Sequence, residues 1–202
     1  MKRSSKKVKR VKKRILILCE GLTEKNYFQA IKEDPDYSQA LLAVNPQVVA
    51  AKSPTPEQVV REALQRAQKA QEEGNAYDKV WVVFDHDHHI YRKTAYEQAQ
   101  KSTINVGFSA ISFETWFLLH FVRSAKVFET ANALLTELRK YYQGYQKARQ
   151  NDFSNLKDKL ETALSNTTWL KSQTTPPNKH ITDCNPWTDV DVLVLELIRA
   201  GE

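Results

Sequence analysis

The apolar residues of this chain cluster in two short runs that predict buried strands. Residues 15–19 read Ile-Leu-Ile-Leu-Cys, and residues 80–84 read Val-Trp-Val-Val-Phe. Neither run alternates with polar residues, which is typical of parallel strands covered on both faces. Pro46 lies inside a weaker apolar segment and favours an edge position for it. We predict four strands, over residues 15–19, 44–51, 79–84 and 104–111.

Segments with helical patterns lie between and after these strands. Thr23 is the predicted N-cap of a helix over 23–33, and Thr55 with Pro56 begins a second helix that ends at Gly74. A loop is expected over 174–186. The remaining predicted helices cover 94–101, 113–122, about 129–142, about 152–164 and 187–199.

The alternation of strands and helices defines the expected architecture. Over residues 15–122 it predicts an α/β fold with a doubly wound, mainly parallel sheet. Residues 123–202 are expected to form a mostly helical extension packed on this core. Residues 1–14 precede both parts as a basic, disordered tail.

Charge is distributed unevenly along the chain. The 202 residues contain 30 Lys and Arg against 24 Asp and Glu, a formal charge of +6. Residues 1–14 hold nine basic residues and no acidic one, which leaves 21 basic against 24 acidic residues, a net charge of −3. This division excludes a uniformly basic domain that coats DNA. The tail either attracts phosphate backbones or is a solubilising segment that contacts nothing in particular.

Composition narrows the class of protein further. A hydrophobic content of 41% predicts a globular chain, and no apolar run approaches the roughly 18 residues that a membrane-spanning helix needs. The N-terminus lacks the apolar core of a signal peptide. Cys19 and Cys184 form no paired motif, so neither a disulfide framework nor a zinc ribbon is expected. We therefore expect a cytoplasmic protein with reduced thiols.

Acidic residues follow both of the most apolar strands. Glu20 comes directly after the first, and Asp85 and Asp87 follow the third. Ligand sites in open α/β sheets lie beyond the carboxyl ends of the strands, and alternate residues of an extended segment point the same way. Converging carboxylates repel one another, and Mg²⁺ is the natural compensating charge. A single acid at a strand end is usually a solvated turn residue, but acids after two buried strands favour a cation site.

Two further acids extend this hypothesis. Glu24 lies four residues after Glu20, so that a helix beginning there would bring both to one point. Glu114 follows the fourth predicted strand, although a glutamate in the first turn of a helix is also favoured by the helix dipole alone. The spacing of the residues does not decide between these two interpretations of Glu114.

The histidines and the glycines bear on two other kinds of site. His86, His88 and His89 suggest zinc, but no second group with ligand spacing occurs, and a carboxylate core favours Mg²⁺ or Mn²⁺. His88 is either a phosphate contact or proton shuttle, or a polar loop residue. Five glycines and no phosphate-binding loop motif argue against a nucleotide cradle. Backbone amides after Gly21, at a helix N-terminus, could hold a phosphate oxygen.

Four segments together resemble the RloB-like proteins of the Toprim superfamily. They read ILILCEGLTEKNYF, VWVVFDHDHH, ISFETWFLLHF and NPWTDVDVLV. The resemblance implies a Rossmann-like sheet of about four parallel strands with helices on both faces. It also implies that Glu20, Asp85 and Asp87 bind Mg²⁺ and act in phosphodiester chemistry.

The resemblance carries three more implications. In the related overcoming-lysogenization-defect nucleases, additional acids occupy the places of Glu24 and of Glu114, the latter in a Ser-x-Glu motif that Ser112 matches. RloB-like proteins tend to accompany an ATPase partner in bacterial phage defence or abortive infection. The chain departs from the family in the turn before Phe113, and Lys179 is only a weak candidate for a catalytic lysine.

These observations predict a nuclease that uses Mg²⁺ or Mn²⁺ to hydrolyse DNA or RNA. The alternative is a catalytically inactive, nucleic-acid-binding subunit that works with an ATPase partner. The predicted catalytic residues are Glu20, Asp85 and Asp87, the predicted metal ligands are these three with Glu24 and Glu114, and the predicted phosphate contacts are Gly21, His88 and Lys179.

Overall fold

The structure is a computed structural model that describes residues 13–86, 89–149, 151–174 and 179–200. Its centre is a four-stranded, wholly parallel sheet in the order β2-β1-β3-β4, which confirms the predicted α/β class. Pro46 begins the edge strand β2, where one side of the backbone needs no partner strand. The strands are β1 Ile15–Cys19, β2 Pro46–Ala50, β3 Lys79–Asp85 and β4 Asn105–Ser109.

Helices connect the strands and form most of the C-terminal part. Between the strands lie α1 Leu22–Glu33, α2 Ser38–Leu41, α3 Pro56–Glu72 and α4 Arg92–Lys101. After β4 follow α5 Glu114–Leu119, α6 Ala131–Tyr141, α7 Asp152–Leu156, α8 Leu160–Thr174 and α9 Val190–Ile198. Short 3₁₀ turns cover Lys157–Lys159 and Ile181–Asp183. No helix in the described ranges has both the length and the apolar character needed to cross a bilayer.

Both faces of the central strands are buried, as their continuous apolar runs predict. Ile15 and Ile17 belong to one apolar cluster, and Leu16 and Leu18 belong to another on the opposite face. Successive strand side chains point to opposite faces, so an uninterrupted apolar run serves two cores. The aromatic side chains of these apolar segments are buried, apart from Phe121, which is partly buried against the first cluster; the buried ones are Trp81, Phe84, Phe113, Trp116 and Phe117.

The C-terminal helices contribute to the first of these clusters. Leu134 and Leu138 of α6, Phe153 of α7 and Val194 of α9 pack in the same cluster as Ile17 of β1. The helical extension therefore shares its apolar core with the sheet.

Three predicted boundaries were wrong. The N-cap of α1 is Gly21, so Thr23 lies inside the helix. The segment predicted as one helix near 152–164 is α7, a 3₁₀ turn and α8, which continues to Thr174. The last helix begins at Val190, because residues 187–189 extend the sheet instead of forming a helix.

The sheet extension lies along the open edge of β4. Ser109 and Thr188 form an antiparallel bridge, and the Ala110 amide donates to the Trp187 carbonyl over 2.8 Å. An edge strand leaves backbone groups without partners, and this segment satisfies several of them. The physical reason for the late helix start is therefore a contact between distant parts of the chain.

The described chain begins at the amino ends of the strands, directly before the central strand β1. The Lys13 amide donates to the Ala43 carbonyl over 3.0 Å, and the Arg14 amide donates to the Asp78 carboxylate over 2.7 Å. The Arg14 guanidinium also lies 4.6 Å from the centre of the Tyr77 ring. Both residues were assigned to the tail by sequence, whereas residues 1–12 lie outside the described ranges.

Candidate metal centre

Glu20 connects the carboxyl ends of the two central strands. Its amide donates to the Val83 carbonyl over 2.8 Å, which continues the ladder between β1 and β3. Its Oε2 accepts a hydrogen bond of 2.9 Å from the Asp85 amide, and its Oε1 lies 3.6 Å from Nε2 of His89. The Glu20 carboxylate is thus held against the end of β3, where Asp85 lies.

Asp85 is the last residue of β3 and is buried. Its Oδ1 has no hydrogen-bond partner among the described residues. Burial raises the pKa of the Asp85 carboxyl well above its usual value, and the negative charges of Glu24, Glu20 and Glu114 raise it further. The four acids therefore lie within electrostatic reach of one another, as strand-end spacing predicts for this edge of the sheet.

Glu24 lies in the first turn of α1 and is also buried. Burial raises the pKa of its carboxyl from 4.5 to about 7; the amide of Glu24 opposes this shift, and the charge of Glu114 adds to it. Its Oε2 has no hydrogen-bond partner within the described part of the chain. A Cβ atom on Gly21 would lie 2.8 Å from this oxygen, so glycine leaves room for the carboxylate.

Glu114 is the first residue of α5 and is fully buried. The Ser112 hydroxyl donates to Oε2 over 2.6 Å, and the Tyr145 hydroxyl donates to Oε1 over 2.8 Å. The Lys147 ammonium lies 3.9 Å from Oε1. A glutamate that only favoured the helix dipole would face solvent, whereas this one is directed into the acidic cluster.

Tyr145 and Lys147 were missed by the reasoning from sequence. Both belong to residues 142–149, between α6 and α7, which we name the 142–149 segment. They lie more than 30 residues from Glu114, and no motif connects them with it. The charge of Lys147 lowers the pKa of both Glu24 and Asp85, so this lysine acts on the cluster as a whole.

The other predicted contacts are placed differently. Lys179 is exposed, and its charge acts on the Cys184 thiol, whose pKa is raised mainly by burial. No described contact connects Lys179 with the acids. Asp87 and His88 lie outside the described ranges, so their predicted roles stay predictions.

The donor set has the chemistry of a site for a hard cation. It consists of carboxylate oxygens, two of which are buried without a hydrogen-bond partner in the described ranges, and Mg²⁺ and Mn²⁺ prefer oxygen ligands. Within those same ranges, no three His, Cys, Asp or Glu side chains are already arranged to hold a metal ion. The residues therefore fit such an ion by charge and ligand type.

Comparisons with known proteins give one match. A family model described as RloB-like protein matches residues 15–197, which is most of the chain. No curated protein and no solved structure matches the chain.

Proposed function

Because the chain belongs to the RloB-like family, we propose that it is a Mg²⁺- or Mn²⁺-dependent nuclease that hydrolyses phosphodiester bonds of DNA or RNA. One observation carries the proposal: acids from β1, α1, β3 and α5 meet at the carboxyl edge of the sheet, with two of their buried oxygens unpartnered among the described residues. Structural carboxylates in a core are normally hydrogen-bonded, so unpartnered oxygens favour a ligand.

Glu20, Glu24 and Asp85 would hold the cation, together with the predicted ligand Asp87. When bound, such an ion would polarise the phosphate of the substrate and lower the pKa of a water molecule bound to the ion. The Asp85 amide orients the Glu20 carboxylate, and the Ser112 and Tyr145 hydroxyls fix the carboxylate of Glu114, the remaining predicted ligand. His89 lies 3.6 Å from Glu20, where its Nε2 can accept a proton at the edge of the site.

Lys147 supplies a cationic group beside the acids. Its side chain is 53% exposed while its ammonium approaches buried Glu114, so it faces both the acids and the solvent. An ammonium in this position can contact a nonbridging phosphate oxygen as charge develops on it. Lys147 replaces Lys179 as the lysine of the proposed site.

The nuclease proposal is tested by incubating the full chain with plasmid DNA and with tRNA in Mg²⁺, Mn²⁺ or EDTA. Cleavage is expected with either metal, and it should fall at least a hundredfold, on the order of a lost metal ligand, in Asp85→Asn and in Glu24→Gln. The control is Glu73→Gln, an exposed acid at the end of α3. Cleavage that survives Asp85→Ala combined with Asp87→Ala contradicts the proposal.

A second candidate is an inactive nucleic-acid-binding subunit. It is favoured by the lack, in the described ranges, of three side chains already arranged around a metal position. It predicts salt-dependent binding that weakens when residues 1–14 are removed, with no cleavage in any metal. Mn²⁺ binding followed by electron paramagnetic resonance separates the two, since only the nuclease requires Mn²⁺ uptake that Asp85→Asn removes.

We further propose a role as an effector in bacterial phage defence or abortive infection, with an ATPase as partner. This proposal is supported by membership of the RloB-like family. Cells that express the wild-type chain with its genomic neighbours should resist phage, and cells that express Asp85→Asn should not. Equal resistance in both strains would contradict the role of the acidic site.

A further inference from the structure

Large hydrophobic side chains are exposed beside the acidic cluster. Among the described residues, seven large hydrophobic residues are exposed; one of them, Leu22, begins α1 just after β1, and two, Ile90 and Tyr91, lie on the turn after β3. Leu22 is 55% exposed, Ile90 is 77% exposed and Tyr91 is 58% exposed. A single exposed apolar residue needs no explanation, but three beside a polar site indicate a binding surface.

Contacts connect the segment after β1 with the turn after β3 and fix the position of that turn. His89, which precedes Ile90, lies 3.6 Å from Glu20, and Glu20 is two residues before Leu22. The Arg92 guanidinium donates to the His89 carbonyl over 3.0 Å and to the Thr182 carbonyl over 3.0 Å. The turn that carries Ile90 and Tyr91 is therefore held by contacts to Glu20 and to Thr182.

Cations also lie near the acids. Lys25 is in the first turn of α1, and Lys147 and Arg149 are exposed in the 142–149 segment. The Asn26 side chain donates to the Ala148 carbonyl over 3.3 Å, which holds this segment against α1. Exposed apolar side chains and cations therefore lie beside residues of the buried acidic cluster.

We propose that this surface binds an unpaired nucleic-acid strand, so that the enzyme prefers single-stranded or looped substrate to duplex. The inference rests on the proposed function, whose substrate class it specifies. Aromatic and apolar groups stack on exposed base faces while cations follow the phosphates, and duplexes hide those faces. A protein partner fits less well, because lysine is depleted in protein interfaces.

The substitution Tyr91→Ala tests the stacking contact directly. Fluorescence anisotropy in EDTA measures how the full chain binds labelled oligonucleotides of about 12 nucleotides, both single-stranded and duplex. Tyr91→Ala should weaken single-strand binding about fivefold to a hundredfold, with a smaller loss for duplex. Tyr91→Phe keeps the ring and should bind like the wild type.

Four further variants show whether the loss of binding is specific to this surface. Ile90→Ser should weaken single-strand binding in the same direction, and Lys25→Gln should lower the salt slope by about 1. Tyr141→Ala and Leu42→Ala replace exposed hydrophobic residues elsewhere and should change nothing. Circular dichroism spectra of all variants establish that the fold is retained.

The outcomes separate this inference from the nuclease proposal. If no metal supports cleavage but Tyr91→Ala still loses single-strand affinity, the nuclease proposal fails and the binding surface stands. If the protein cleaves duplex and single strands equally, and Tyr91→Ala and Ile90→Ser match the wild type in binding and cleavage, the inference is overturned. Loss of a protein partner in these variants, with unchanged oligonucleotide binding, also overturns it.

Discussion

At the scale of single residues, the site is defined by carboxylates whose burial is costly. Glu24 and Asp85 each have a buried oxygen without a partner among the described residues, and both have raised pKa values. Desolvation penalises the charged form, and neighbouring acids add repulsion. Such a cluster lowers the stability of the metal-free protein at neutral pH, and a bound cation would remove that penalty.

Glu24 makes the stability of the metal-free protein depend on pH. Because its pKa is about 7 in the folded state against 4.5 ordinarily, the folded state binds the proton more tightly. The stabilisation is complete below the unfolded pKa and is lost as pH rises through about 7. We expect the free energy of unfolding to fall by about 2 kcal/mol more in the wild type than in Glu24→Gln between pH 5.5 and 8.

Urea unfolding in EDTA at both pH values measures this difference. Asp85 has a pKa shift of the same sign to which the Glu24 charge contributes, so the measured difference includes the loss of that repulsion in Glu24→Gln. Equal pH dependence in the two proteins would show that Glu24 is ionised in the metal-free fold.

Gly21→Ala tests the space that glycine leaves for the Glu24 carboxylate. The added Cβ would lie 2.8 Å from Oε2 and displace the tip of a flexible side chain, while the backbone φ of −126° suits alanine. Stability should change by less than about 1 kcal/mol, and Mn²⁺ affinity should fall about tenfold to a hundredfold. Gly107→Ala is the control, and unchanged Mn²⁺ affinity in Gly21→Ala would contradict the geometry.

At the scale of elements, the 142–149 segment completes a site that the sheet begins. It follows α6, in the helical extension, and brings Tyr145 and Lys147 against Glu114 of α5. The core and the extension therefore contribute jointly to the acidic cluster. A truncation after residue 122 would remove both side chains as well as part of the apolar core.

Tyr145→Phe removes one of the two hydroxyls that hold Glu114. The carboxylate is fully buried, so a lost donor leaves an unsatisfied oxygen. We expect the free energy of unfolding to decrease by about 1 to 3 kcal/mol, measured with urea. Tyr141→Phe alters an exposed ring and should change it by less than about 0.5 kcal/mol. Equal effects would mean that the Tyr145 hydroxyl does not stabilise Glu114.

Lys147→Met removes the cation that lowers the pKa of Glu24 and Asp85. Both pKa values should then rise, so that Mn²⁺ binding requires a higher pH. We expect the midpoint of the binding curve, followed by electron paramagnetic resonance, to shift upward. Lys140→Met alters a lysine paired with Glu137 and should leave the midpoint in place. A downward shift would exclude the electrostatic role of Lys147.

At the scale of the whole molecule, the first described residues and the acidic cluster lie at opposite ends of the sheet. The described chain enters at the amino ends of the strands, near Lys13, while the acids lie at the carboxyl ends. β1 has five residues, so about 17 Å separates these ends, and twelve residues of chain can span at most about 40 Å.

Deletion of residues 1–12 tests the tail as a tether for nucleic acid. It removes seven basic residues and changes the net charge from +6 to −1. The dependence of binding on salt should weaken, because fewer counterions are released. The ratio of single-strand to duplex affinity should stay the same, since that preference is assigned to Tyr91 and its neighbours. An unchanged salt slope would favour a purely solubilising tail.

Much of the fold follows from local sequence patterns. The apolar runs of β1 and β3, Pro46 at the edge strand and the capping residues around α3 are short-range signals, and each predicted element exists. Boundaries were wrong where a distant segment competed, as at Thr188, which pairs with Ser109 before α9 begins. The local propensity of a segment contains no information about pairing with a distant segment.

The sequence by itself determined the parallel α/β sheet and the edge at which its acids would meet. It did so because strand-end residues of parallel strands share one edge, so Glu20 and Asp85 were expected at the same edge. Only the tertiary structure decided which cationic and hydroxyl groups face those acids. Tyr145, Lys147 and the turn with Tyr91 reach the site through contacts between distant segments, and long-range packing leaves no periodic signal in the chain.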